Sequence, residues 1–145
     1  MAVYPAQAAL SVRQTFVKST TACPCGSTLN YEACCGRYHA QISTPPNAEA
    51  LMRARYSAYV NGMEAYIRAT WHPETCPDDL GMDATPRPQW LGLEVRLHSF
   101  LNENHATVEF IARYKLNGRA YRLHEISRFE FLAGHWLYVD GEQKP

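Results

Sequence analysis

The sequence lacks both a surplus of charge of one sign and a long apolar run. Its 14 basic residues balance 14 acidic residues, so the formal net charge at pH 7 is +0. Proteins that bind phosphate backbones or anionic membranes carry basic patches, so this composition disfavours nucleic-acid and membrane partners. No apolar stretch approaches the roughly 18 residues of a membrane-spanning helix. We therefore predict a soluble, cytoplasmic protein.

Acidic residues are also absent from residues 1–22, and the chain contains no internal repeat. We interpret residues 1–22 as a weakly ordered extension; an organelle transit peptide, which is likewise poor in acidic residues, is the alternative. Residues 23–44 hold four of the 5 cysteines, and a proline pair at 45–46 separates them from the rest. We predict three units, which are the extension, a cysteine knuckle at 23–44 and a folded domain at 45–145.

Helical periodicity begins after the proline pair. Apolar side chains recur along one helical face from Ala48 onward, and Asn47 stands at the N-cap position. The Asn61-Gly62 pair ends this helix, and a second short helix is predicted at 63–70.

Beyond Trp90 the apolar period changes to two, which indicates strands with one buried face. The Asn117-Gly118 pair predicts a hairpin in which Phe110 faces Glu125. A further hairpin at 133–134 completes an antiparallel meander of four strands. Helices followed by such a meander predict an α+β fold, with the helices packed on the sheet.

This register turns three polar residues toward the apolar face: Glu125, Ser127 and Asp140. A carboxylate in that position needs a partner, because an unpaired buried charge is costly. Arg55 lies at the border of the apolar helical stripe and is the nearest candidate cation. We predict a buried ion pair between Arg55 and Glu125.

Four thiols lie close together as two pairs: Cys23 and Cys25, then Cys34 and Cys35. Zinc binds four soft ligands supplied from tight turns, and adjacent cysteines form a disulfide only with strain. We predict a closed structural zinc site made by all four thiols, with Gly26 and Ser27 supporting it. His39 is an alternative fourth ligand, and the isolated Cys76 is expected to be inert.

These motifs carry a family resemblance. Cys23-Pro-Cys25-Gly-Ser27, followed after eight residues by Cys34-Cys35-Gly36, resembles the SEC-C motif, a zinc knuckle also found at the C-terminus of the SecA translocation ATPase. Further segments resemble the bacterial YchJ family of uncharacterised proteins: Leu51-Met-Arg-Ala-Arg-Tyr-Ser-Ala-Tyr59, Thr70-Trp-His-Pro73, Trp90-Leu-Gly-Leu93, His124-Glu-Ile-Ser-Arg-Phe129 and Trp136-Leu-Tyr-Val-Asp-Gly141. The chain departs from that family in lacking a second SEC-C motif, which some relatives carry, and in having Ile126 where such proteins often have Arg.

The resemblance implies a cone-shaped domain of the nuclear transport factor 2-like superfamily, in which a curved antiparallel sheet wraps round the helices. It also favours an adaptor that contacts a protein partner through exposed residues of the knuckle, which we expect to be Arg37, Tyr38 and His39. A purely structural homodimer module is another hypothesis.

The cone of this superfamily suggests a second function class, namely binding of a small ligand or acid-base catalysis. The candidate pocket comprises four residues: Arg55, His72, Trp90 and Glu125. Zinc is the only expected cofactor, no catalytic residue is assigned, and the sequence leaves open whether the protein is an enzyme. Fold analogy does not choose between the pocket and the adaptor.

Overall fold

The computed structural model describes residues 21–145. The extension predicted at 1–22 therefore lies outside the described residues except for its last two. The cysteine segment contains an isolated bridge between Ala22 and Asn30 and a 3-10 turn at Tyr31–Ala33. Three helices follow in the chain: α1 (Cys35–His39), α2 (Ala48–Asn61) and α3 (Glu64–Ala69). Four strands complete it: β1 (Gln89–Asn102), β2 (His105–Leu116), β3 (Arg119–Leu132) and β4 (His135–Gln143).

Helix α2 has the local signals at both ends that the sequence predicts. The side chain of Asn47 accepts a hydrogen bond from the backbone N–H of Ala50 at 2.8 Å, which satisfies one free donor of the first turn. At the other end, Gly62 adopts a φ of 69°, a left-handed conformation that favours glycine and stops the helix. The buried face of α2 carries one charged residue, Arg55.

The four strands form one antiparallel sheet in the order β1-β2-β3-β4, which confirms the predicted meander. Between β2 and β3, Phe110 pairs with Glu125 as expected. The hairpin turn has positive φ angles at both Asn117 (54°) and Gly118 (76°). Such angles match the right-handed twist of the flanking strands, and this is why the Asn-Gly pair predicts the register.

Bulges change the side-chain pattern that strict alternation predicts. One bulge lies in β4, where Val139 is the extra residue opposite the step from Arg128 to Phe129 of β3. Asp140 therefore pairs with Arg128 rather than with Ser127. The expectation that Asp140 lies on the inner face is therefore wrong. Its carboxylate instead forms a two-pronged ion pair with Arg128, at 2.6 and 2.5 Å. A bulge adds one residue to one strand, which switches the face of the residues beyond it.

Helix α2 packs against β1, β2 and β4, so it lies along the inner face of the sheet. The four cysteines of the knuckle belong to the same apolar cluster as Leu51 of α2 and Phe129 of β3. The knuckle and the sheet domain therefore share one core, although the sequence predicts them as separate units. Among residues 21–145, no helix has both the length and the apolar character needed to cross a membrane.

Candidate metal centre and ligand cavity

The knuckle brings four thiols to one point. The sulfur atoms of Cys23, Cys25, Cys34 and Cys35 all lie within 4.8 Å of one another, and all four residues are buried. The Sγ atoms of Cys25 and Cys34 are 3.6 Å apart. Four sulfurs placed about 2.3 Å from a zinc ion at tetrahedral corners would be about 3.8 Å apart. The geometry of the donor set therefore fits one tetrahedral metal ion.

Two neighbours support this cluster as the sequence predicts. Gly26 has a φ of +82°, which allows the tight turn after the first cysteine pair. The hydroxyl of Ser27 lies 3.1 Å from the sulfur of Cys34, within reach of a hydrogen bond to a thiolate.

The proton affinities of the thiols reflect their crowding. Hydrogen bonds with the thiols of Cys25 and Cys35 hold the pKa of Cys23 far below its usual range. The same sharing raises the pKa of Cys35, and burial raises that of Cys34. Four thiolates this close together would repel one another, and a bound metal ion would supply the positive charge that stabilises them.

His39, the alternative ligand, is committed elsewhere. Its Nε2 donates to the carbonyl of Ala54 at 2.8 Å, and its Nδ1 lies 2.5 Å from the hydroxyl of Tyr31. This imidazole therefore bonds to helix α2 and is not part of the cysteine cluster.

Tyr38 is only 7% exposed, which is contrary to our expectation that it presents a surface to a partner. It packs into the shared core because α1 is a short helix with one face against α2.

Further contacts join the knuckle to α2. The hydroxyl of Ser57 lies 3.5 Å from the sulfur of Cys23, and Arg53 donates to the carbonyl of Cys25 at 2.9 Å. The next residue but one along the same helix, Arg55, faces the sheet. Helix α2 thus connects the cysteine cluster to the interior of the domain.

A cavity of about 160 Å³ lies between α2 and the sheet. Its walls combine aromatic and apolar side chains with a few polar groups: Met52, Arg55, Tyr56, Tyr59, Trp71, Trp90, Phe110, Ala112, Leu123, Glu125, Ser127, Phe129 and Tyr138. Arg55 and Glu125 supply one charge of each sign to these largely apolar walls.

Arg55 is 5% exposed, and burial lowers the pKa of its guanidinium. Its Nη1 donates to the carbonyl of Ile67 at 2.9 Å and to the hydroxyl of Thr70 at 2.7 Å, at the end of α3. The guanidinium carbon lies 4.9 Å from the ring centre of Trp71 and 4.5 Å from that of Tyr138. Contacts of this kind with ring faces stabilise a buried cation.

Glu125 does not pair with Arg55, and the predicted ion pair is therefore wrong. The Oε2 atom of Glu125 accepts from Ser127 Oγ at 2.7 Å and from Tyr138 OH at 3.2 Å. The Tyr138 side chain thus contacts both charged groups, through its ring face on Arg55 and through its hydroxyl on Glu125. Burial, together with the nearby carboxylate, raises the pKa of Tyr138, which keeps this hydroxyl protonated as a donor.

Comparisons with known proteins show the family to which the chain belongs. Residues 47–141 match the family model described as "YchJ, middle NTF2-like domain", and residues 20–37 match that of the SEC-C motif. The chain belongs to the YchJ family. A UPF0225 protein of Cupriavidus pinatubonensis is 55% identical over 139 residues, covering 92% of this chain and 96% of that protein.

Solved structures agree with this YchJ-family fold. The solution structure of a SEC-C motif containing protein from Rhodopseudomonas palustris has a TM-score of 0.78 at 34% identity, covering 86% of this chain and 100% of that one. The crystal structure of a SEC-C motif containing protein from Psychrobacter arcticus has a TM-score of 0.74 at 29% identity, covering 89% and 86%. The fold predicted from the sequence, a cysteine knuckle followed by a nuclear transport factor 2-like domain, is confirmed.

Of the four candidate pocket residues in this YchJ-family chain, His72 lies outside the cavity. Its Nδ1 accepts from the backbone N–H of Glu74 at 3.1 Å, and its Nε2 lies 3.4 Å from a carboxylate oxygen of Glu130. The preceding residue, Trp71, lines the cavity instead. Trp71 forms a parallel bridge with Tyr138, and neighbouring residues of an extended segment point to opposite sides. The Thr-Trp-His motif predicted the correct segment of the cavity wall, but the side chain that lines the cavity is Trp71 and not His72.

Proposed function

We propose that Cys23, Cys25, Cys34 and Cys35 hold one zinc ion in a structural site. The support is the donor set itself, because four converging thiolates are the ligands that zinc prefers and leave no position open for a substrate. When bound, the ion supplies positive charge and crosslinks the knuckle. Such a site is favoured in a reducing compartment, and we therefore place the protein in the cytoplasm.

Metal analysis of the purified full-length chain tests this site. We expect one zinc ion per chain, and loss of that zinc in a Cys25→Ser, Cys34→Ser double variant. Cys76→Ser is the matched control, because Cys76 lies apart from the cluster and should leave zinc content unchanged. Zinc retained by the double variant, or no zinc in freshly reduced protein, would contradict the assignment.

We further propose that the domain binds a small molecule in the cavity between α2 and the sheet. The observation that carries this proposal is Arg55, a buried guanidinium that contacts aromatic rings and neutral acceptors but no carboxylate within the described residues. Burying a charge without a counter-charge costs several kcal/mol of folding free energy. We therefore expect the buried guanidinium of Arg55 to bind a ligand. The described lining offers one carboxylate, Glu125, and no histidine as a second group for proton transfer, and for that reason we favour binding over acid-base catalysis.

Filling the cavity tests the binding role. Ala112 is 2% exposed and lines the cavity, so Ala112→Leu should occupy part of the space while keeping the fold. We expect native mass spectrometry of the parent protein to show a bound small molecule that denaturation releases and that Ala112→Leu loses. Ala120→Leu, the same change at an exposed position of β3, is the control and should retain the molecule. An empty parent protein that also gives no response to a library of small molecules would contradict the role.

A protein-binding role for the knuckle is the second candidate. Its support is a surface formed by Arg37, which is exposed, and Ile42, which is 79% exposed. The backbone N–H of Ile42 donates to the carbonyl of Arg37, so the two residues are neighbours. Exposed apolar side chains beside a cation are common in interfaces. The same surface would serve self-association, which also stays a prediction.

The two roles fail on different variants. We expect an Arg37→Ala, Ile42→Ser double variant to lose a co-purifying protein partner without losing zinc, if the adaptor role is correct. An unchanged set of partners would contradict that role and would leave the cavity as the functional element.

A further inference from the structure

Arg55 brings unused hydrogen-bond donors to the cavity. A guanidinium has five N–H groups, and within the described residues only those of Nη1 are bonded, to Ile67 and Thr70. Neither of these acceptors lines the cavity, so Nη1 points away from it. No nitrogen of Arg55 is among the fully buried, unpartnered polar atoms of residues 21–145. Nε and Nη2 therefore reach accessible space, and their planar pair of N–H donors matches a carboxylate.

Glu125 offers the complementary group. Its Oε2 is bonded to Ser127 and Tyr138, whereas Oε1 has no partner among the described residues. An ionised carboxylate only accepts hydrogen bonds, so it would receive an O–H from a ligand and would repel a ligand anion. The anionic group of a ligand therefore belongs beside Arg55.

The size and walls of the cavity restrict the ligand that contacts these two groups. The cavity volume is about 160 Å³. An apolar cavity of about 150 Å³ is known to hold benzene, so this space suits one ring with one or two small substituents. The rings of Tyr56, Trp90, Phe110 and Phe129 line it and favour a flat aromatic molecule.

We infer that the cavity takes a small aromatic carboxylate that bears a hydroxyl group, with the carboxylate on Arg55 and the hydroxyl donating to Glu125. This inference rests on the ligand-binding role proposed above and names its ligand class. Charge-assisted hydrogen bonds to Arg55 and Glu125 fix the orientation, and the aromatic walls supply the apolar contact.

Titration calorimetry on the unmodified full-length chain tests the ligand class without relying on any variant to fold. The probes are para-hydroxybenzoate, benzoate and benzamide, of which the last has the shape of benzoate without its charge. We expect the affinity to fall in that order. Loss of the carboxylate should weaken binding by about ten- to a hundred-fold, as for other hydrogen bonds to charged groups.

A Glu125→Gln variant then tests the second contact. Gln keeps the shape of Glu125 but lacks its charge, so the advantage of para-hydroxybenzoate over benzoate should shrink, while the advantage of benzoate over benzamide should remain. Benzamide binding as tightly as benzoate would overturn the inference and leave the ligand-binding role standing. If none of the three probes, nor phenol, binds at about 10 mM, where even millimolar affinities are visible, the inferred ligand class is wrong. The ligand-binding role fails as well only if the parent protein is also empty and the library of small molecules gives no response.

Discussion

Replacement of Gly141 by alanine probes the position of the cavity carboxylate. A Cβ atom at Gly141 would lie 1.9 Å from Oε2, 2.4 Å from Cδ and 2.9 Å from Cγ of Glu125. Carbon atoms do not approach so closely, so the Glu125 side chain has to move. Its carboxylate occupies the space that the missing side chain of Gly141 leaves, and the open space nearby is the cavity itself.

The cost follows from the hydrogen bonds that this movement breaks. Ser127, which is 1% exposed, and Tyr138 would each lose a bond to a charged acceptor. Such bonds contribute about 1.5 to 3 kcal/mol each. Rehydration of the carboxylate in the cavity and the removal of a strand glycine, worth about 0.5 to 1 kcal/mol, offset part of that loss. We expect Gly141→Ala to lower the free energy of unfolding by about 2 to 4 kcal/mol, and hence the Tm by about 6 to 12 °C.

Thermal and urea unfolding measure this change. Gly92→Ala is the matched control, because Gly92 is also a strand glycine, has no positive φ, and has no atom within 4 Å of an added Cβ. It should change the Tm by no more than about 2 °C. In a Glu125→Ala background the clash partner is gone, so Gly141→Ala should cost almost nothing there. A Gly141→Ala protein as stable as the parent, or an equal loss of unfolding free energy in both backgrounds, would show that Glu125 does not fill the space beside Gly141.

Three more expectations follow from the knuckle and helix α2. Chelation of the metal should unfold residues 23–40 and also lower the Tm of the whole chain, because the cysteines pack in the shared core; a Tm unaffected by chelator would contradict that sharing. Asn47→Ala removes the cap bond to Ala50 and should cost about 1 kcal/mol in urea unfolding, whereas Asn47→Asp should cost little. Burial lowers the pKa of His39 in the folded chain below its unfolded value of about 6.5. The contribution of neutral His39 to the free energy of unfolding is therefore complete above about pH 6.5, and it is lost as the pH falls through the folded pKa. The stability difference between the parent and His39→Gln should therefore shrink in acid, and a difference independent of pH would count against a neutral His39.

Local signals predicted a large part of the fold correctly. The Asn117-Gly118 turn determined the pairing of β2 with β3, and Asn47 and Gly62 marked the ends of α2. These turn and cap predictions are correct because a cap or a two-residue turn depends on backbone angles and on neighbours within a few residues. The same holds for the cysteine pairs, since a tight turn brings close sulfurs together whatever surrounds it.

The errors all concern the directions and partners of side chains over longer distances. The face of Asp140 depends on a bulge in β4, and the side of the chain on which His72 lies depends on a bridge between the segment after α3 and β4. The partner of Arg55 depends on where α3 ends, because the carbonyl of Ile67 and the hydroxyl of Thr70 bind the guanidinium there. None of these contacts leaves a periodic pattern along the chain.

Sequence alone was sufficient for the set of four cysteines that cluster, the order of helices and strands, and the carboxylate on the inner face of the sheet. The core that the knuckle shares with the domain and the contacts of Tyr138 with both Arg55 and Glu125 arise only when the chain folds. The physical reason is range: turns, caps and periodicity are set by residues close in sequence, whereas the packing of α2 between the knuckle and the sheet sets which distant side chains meet.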